Sequence, residues 1–78
     1  MELDIRGYAS DEGTYEMEAF IDRAVMSGMH VVTIIHGKGT GVLRNAIRQK
    51  LRSIKSVKSF RPGVYGEGED GVTVVELK

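Results

Sequence analysis

Five consecutive residues, Val31-Val32-Thr33-Ile34-Ile35, are all β-branched, and only Thr33 is polar. A strand that is apolar on both faces belongs inside a sheet, not at its edge. The pattern predicts a strand over residues 30–36, and the stretch "HGKGTG" at His36 to Gly41 ends it, because glycine at every second position marks a loop. Beyond the loop, Leu43, Ala46, Ile47, Leu51 and Ile54 recur at helical spacing and predict a helix over residues 40–53. A buried strand that feeds a helix through a short glycine-rich loop is half of a β-α-β unit. The chain is thereby confined to layered α/β architectures.

The flanking segments complete the pattern. Leu3 and Ile5 alternate with Asp4 and Arg6, which gives a short first strand closed by Gly7. Ser10 is placed to cap the first helix, and Asp11 and Glu12 suit its first turn. Gly13 and Thr14 loosen that start. Met17, Phe20, Ile21, Ala24 and Val25 make the apolar face, and Gly28 ends the helix. Met17, Met26 and Met29 read as core filler. A third strand covers residues 57–61. Pro62 opens the acidic loop "PGVYGEGEDG", and Val72 to Leu77 is the last strand. The order is βαβαββ. Right-handed crossovers make the first three strands parallel, and the acidic loop returns the fourth antiparallel. Two amphipathic helices over one face of this four-stranded mixed sheet predict a two-layer α/β sandwich.

Seventy-eight residues make one small domain, residues 1–78, with no internal repeat or linker. The abrupt start at "MELDIRG" reads as a fragment of a longer chain. Cysteine is absent, so neither disulfides nor cysteine-based zinc sites hold the fold. No apolar run is long enough to span a membrane, and no signal peptide precedes the domain, which reads as cytoplasmic. The net charge of zero conceals a segregation. Residues 1–29 carry seven acids and two bases, whereas residues 30–63 carry eight bases and no acid. The middle of the chain therefore presents a positive surface, or a basic face that pairs with the acidic first helix.

In parallel sheets, ligands bind beyond the carboxyl ends of the strands. That rule brings Asp4 to Gly7, His36 to Gly41, Arg61 and the acidic Glu67, Glu69 and Asp70 to one rim. His30 falls at the opposite end and reads as structural. The "HGKGTG" loop fits no nucleotide-cofactor pattern. A P-loop needs Ser or Thr directly after its lysine, where this chain has Gly39, and four residues between its two glycines. A dinucleotide fingerprint needs GxGxxG and a downstream acid, whereas none occurs between Asp22 and Glu67. A cradle for a nucleic-acid backbone phosphate fits better. Gly37, Gly39 and Gly41 would supply close backbone approach, Lys38 a point charge, Thr40 a hydroxyl, and Arg44 and Arg48 a basic helix face.

"LDIRG", "HGKGTGVLR", "FRPG" and "GVTVVEL" together resemble the small MutS-related (Smr) domain, in the form carried at the C-terminus of a bacterial MutS-like ATPase. The resemblance runs over essentially the whole chain. It implies sheet order 1-2-4-3 with strand four antiparallel, similar to the C-terminal domain of translation initiation factor three. It also implies nucleic-acid binding and nicking endonuclease activity on DNA or RNA, and a parent ATPase linked to recombination control and to ribosomes. Many nucleases of this family carry Asp-x-His at the end of strand one. Here the motif is Asp4-Ile5-Arg6, and Arg6 cannot be a general base because it stays protonated.

Two functions follow. In a nuclease, His36 is the acid or base, Asp4 orients it or the nucleophile, and Arg6 and Lys38 stabilise phosphate charge. No metal is needed if an RNA 2′-hydroxyl is the nucleophile, whereas DNA requires activated water and brings in a divalent metal ion. In a binding module, Arg6, Lys38, Arg44, Arg48 and Arg61 hold DNA, RNA or the ribosome without cutting. Each candidate also has a local reading. Asp4 pairs with Arg6, His36 fixes the loop, and Glu67 to Asp70 belong to a solvated turn.

Overall fold

The computed structural model describes residues 1–78 throughout. Its elements are β1 (Glu2–Asp4), α1 (Ser10–Met26), β2 (Val31–Ile35), α2 (Val42–Leu51), β3 (Val57–Pro62) and β4 (Val72–Leu77). A single 3-10 turn, Glu69–Gly71, precedes β4. The sheet order is β1-β2-β4-β3, with β1 parallel to β2 and β4 antiparallel to both β2 and β3. This is the expected βαβαββ sandwich with strands one to three pointing the same way.

One face of the sheet and the inner faces of both helices share the core. Ile5, Val32, Ile34, Val75 and Leu77 meet Met17, Phe20, Ile21 and Ala24 of α1 and Ile47 and Leu51 of α2. Burying one such aliphatic side chain contributes about 1.5–3 kcal/mol. The other face of the sheet has no covering layer. β2 is interior in hydrogen bonding, as its composition predicts, yet Val31 on that second face is 49% exposed. β3, at the edge, shifts register between Val57 and Ser59. That irregularity lets Val57 and Phe60, three residues apart, both pack on the core.

Three local expectations are corrected. Ser10 is the first helical residue of α1 and Ala9 takes the N-cap position, with no side-chain cap. The carboxylate of Asp11 instead accepts from the Glu12 N–H at 2.8 Å. Val25 and Met26 are not core: α1 turns them to solvent, and Met26 is 87% exposed. Gly13 loosens nothing. It is buried where the helices cross, and a Cβ there would stand 2.7 Å from Leu43 Cδ1. The missing side chain is what lets α1 and α2 approach.

Candidate nucleic-acid interface

The chain leaves β1 through Gly7 into α1, and leaves β2 through His36–Gly41 into α2. Both crossovers run in one direction, so both helix N-termini and both loops meet at one edge. Between them lies a cleft of about 360 Å³, walled by Gly7 to Ser10 on one side and by His36 to Arg44 on the other. No Asp or Glu lines it; its charged groups are Lys38 and Arg44. The first N–H groups of a helix have no intrahelical acceptor. Neither helix here has a side-chain hydrogen bond at its N-cap; in the first turns only the Glu12 N–H, taken by Asp11, and the Val42 N–H, at a long 3.5 Å from Thr40 Oγ1, have side-chain acceptors. The cleft thus receives free N–H groups and the positive ends of two helix dipoles.

Gly41, at the N-cap of α2, has φ 87°, a left-handed conformation that favours glycine. A Cβ at Gly41 would also lie 2.5 Å from Nη2 of Arg44, so the guanidinium closes directly over the backbone. Gly37, at φ 80°, has the Arg6 side chain against it: a Cβ there would be 3.4 Å from Arg6 Cγ. Arg6 therefore flanks the loop although it lies outside the cleft wall.

His36 is 5% exposed and both ring nitrogens are engaged. Nδ1 lies 2.9 Å from the Gly37 carbonyl oxygen, which can only accept, so Nδ1 carries the hydrogen. Nε2 lies 2.8 Å from Thr73 Oγ1. Arg48 Nε donates to that same Thr73 oxygen at 3.0 Å, and Arg48 Nη2 reaches the Val72 carbonyl at 3.4 Å. With the imidazole neutral, Arg48 donates to Thr73, the Thr73 hydroxyl donates to Nε2, and Nδ1 donates to Gly37. Burial, with Arg48 and Arg44 nearby, pushes His36 below its ordinary pKa, against the opposing pull of the Gly37 carbonyl and Asp70. The backbone N–H groups of His36 and Gly37 both donate to the Gly71 carbonyl, at 3.1 and 2.9 Å, so the start of the loop is clamped to the start of β4.

Asp4 is elsewhere. It pairs in register with Ile35, and side chains alternate across a strand, so Asp4 and His36 emerge on opposite faces of the sheet. Asp4 meets Arg6 instead, two residues along on the same face: Arg6 Nη2 donates to Oδ2 at 2.6 Å, and Arg6 Nε and N–H donate to Oδ1 at 3.0 and 3.1 Å. Both are solvent-exposed. The hydrogen bonds and charge of Arg6 hold the Asp4 carboxyl below its ordinary range. The expectation that Asp4 orients His36 is therefore not met.

The expected stripe of bases also divides. Arg44 reaches the cleft. Arg48 turns inward to Thr73, and Arg52 lies 5.7 Å over the Phe60 ring. Arg61, on the edge strand β3, pairs with Glu67 at 3.0 Å and is absent from the cleft wall. No three His, Asp or Glu side chains gather closely enough to hold a metal ion. Thr73 is the residue that sequence reasoning missed. Its signal was a lone hydroxyl in register with the buried Val75 and Leu77. Tyr8, in the cleft wall, was missed as well.

The comparisons with known proteins fit this geometry. The family model of the Smr domain matches residues 3–78. The chain is 60% identical over 78 residues to "Endonuclease MutS2" of Caldicellulosiruptor bescii, covering all of this chain and 10% of that protein. It therefore spans about a tenth of the length of the curated relatives it matches. Among solved structures, the Smr domain of Thermus thermophilus MutS2 superposes with a TM-score of 0.97 at 44% identity, covering 99% of this chain and 96% of that one. YdaL, a stand-alone small MutS-related protein from Escherichia coli, shares the fold at 24% identity and a TM-score of 0.92, covering 99% of this chain and 63% of that one. The protein belongs to the Smr domain family.

Proposed function

We propose that this domain is the nucleic-acid-gripping part of a nicking endonuclease, and that it holds a backbone phosphate of DNA or RNA in the cleft between Gly7–Ser10 and His36–Arg44. One observation carries the reading. Two uncapped helix N-termini, Lys38 and Arg44 converge on a cleft without a single carboxylate in its walls. Such an arrangement recognises backbone charge rather than base sequence, so binding has low sequence specificity. Relatives named "Endonuclease MutS2" support cleavage as the outcome of that binding. By the same analogy the partners are the remainder of a MutS-like ATPase and a DNA or ribosomal RNA target in the cytoplasm.

Within this reading the residues divide their roles. His36 shapes the loop from inside, since both its nitrogens are committed to Thr73 and Gly37. Asp4, exposed and held by Arg6 beside the glycine loop but outside the cleft wall, is the carboxylate left to act as base or, where DNA is cut, would be one ligand of a divalent ion. Arg6 bridges Asp4 to the phosphate. The test is a nicking assay on supercoiled DNA and on structured RNA, with and without chelator. Asp4→Asn should lower cleavage on the order of 100-fold or more while the bound fraction stays near wild type. Equal cleavage by wild type and Asp4→Asn would remove Asp4 from the chemistry. Absence of cleavage by wild type on every substrate would leave a binding module.

A further inference from the structure

The cleft wall contains one aromatic side chain. Tyr8 sits on the tight turn between β1 and α1, held by its N–H donating to the Ile5 carbonyl at 3.1 Å. It is 40% exposed and lines the same cleft as His36, Lys38, Gly39 and Arg44. No hydrogen bond from its hydroxyl ties it to the rest of the protein. Tyr8 leaves two-fifths of its surface open beside a cationic, carboxylate-free wall. It is well placed for a base. The cleft volume of about 360 Å³ is at the small end of ligand-binding sites and leaves room for one nucleotide.

We propose that Tyr8 is a base-stacking platform, and that the site takes an unpaired nucleotide whose phosphate lies in the glycine loop. This deepens the phosphate-cradle reading and rests on it. Bases inside a duplex are stacked on their neighbours and offer no free face to a side chain. Unpaired bases in single strands, bulges and ends do. The preferred ligand class is thus single-stranded DNA or RNA, or an unpaired nucleotide within a duplex. The phosphate cradle by itself would accept any of these and intact duplex alike.

The chain supplies its own controls. It has three tyrosines and no tryptophan. Tyr15 on α1 and Tyr65 in the β3–β4 connection are 72% and 94% exposed, yet neither lines the cleft. Affinities would be measured for oligo-dT, oligo-U and a blunt DNA duplex of equal length at fixed salt. Wild type should prefer the single strands. Tyr8→Ala should weaken single-strand binding on the order of 5- to 100-fold and leave duplex binding nearly unchanged, with Tyr8→Phe close to wild type. Tyr15→Ala and Tyr65→Ala should change neither. The oligo-dT and oligo-U arms tell DNA from RNA. A second readout needs no change at Tyr8. In Tyr15→Phe with Tyr65→Phe, the remaining tyrosine emission should be quenched as oligo-dT or oligo-U is added. Equal loss on single strands and duplex, or no loss and no quenching, overturns the platform while leaving the cradle in place. Failure of wild type to bind any of the three overturns both.

Discussion

Thr73 joins α2, β4 and the glycine loop through one oxygen. Removing that oxygen while keeping the shape leaves Arg48 Nε and His36 Nε2 without partners in a buried setting. Thr73→Val should therefore cost about 1–3 kcal/mol in urea denaturation, and Thr73→Ser should recover most of it. A Thr73→Val domain as stable as wild type would dismiss the network. The same network sets a pH dependence. The folded state holds His36 neutral and lowers its pKa, so acid loads a proton onto the unfolded chain first. The contribution is present above about pH 6.5, the unfolded value, and is lost as pH falls from there through the lower folded value. His36→Gln should flatten that part of the stability profile. At this scale the sequence was legible where alternation governed, since Leu3 and Ile5 do turn inward and Asp4 and Arg6 outward. It was not legible at Arg48. Helical spacing places a residue on a face, but the long side chain of arginine lets its head reach back to a hydroxyl that only the tertiary fold brings near.

Elements were read most surely where the pattern was strongest. β2, β4 and the core positions Ile47 and Leu51 of α2 came out as their periodicity required. Boundaries shifted by one or two residues, because caps depend on backbone geometry as well as residue type. The first turn of α1 shows this: Ser10 has the right chemistry one position too late. Of the wall opposite the glycine loop only Gly7 was placed at that rim from the sequence; Tyr8 to Ser10 come across from the loop only through the folded crossover. α2 carries a load that can be measured. It has two fully buried aliphatic residues in a short helix, and each is packed between α1 and the sheet. Ile47→Ala should destabilise by about 2–5 kcal/mol. For a domain whose total stability is on the order of 5–15 kcal/mol, that brings it close to unfolding. Thermal melting checks the outcome, and an unchanged midpoint would mean that α2 is not held by this packing.

Across the whole molecule, equal numbers of acids and bases are arranged so that the cleft wall contains none of the acids. Neutral average charge and a positive working surface therefore coexist, and the segregation was visible in the sequence before any fold was assigned. What the sequence did not separate was which bases serve the surface and which serve the interior. Affinity for nucleic acid should fall steeply as salt is raised, because phosphate contacts release counterions. Arg44→Glu should abolish most of that affinity. Arg61→Glu should do little to it, since Arg61 is already paired with Glu67 away from the cleft. No helix is long and apolar enough to cross a membrane. The central claim, that phosphate is held between the two helix N-termini, is met most directly by amide chemical-shift mapping with a short single-stranded oligonucleotide. The account predicts that perturbations concentrate at Gly7–Ser10 and Gly37–Arg44. Perturbations confined to the open sheet face around Val31, Val74 and Glu76, with those two segments unmoved, would contradict it.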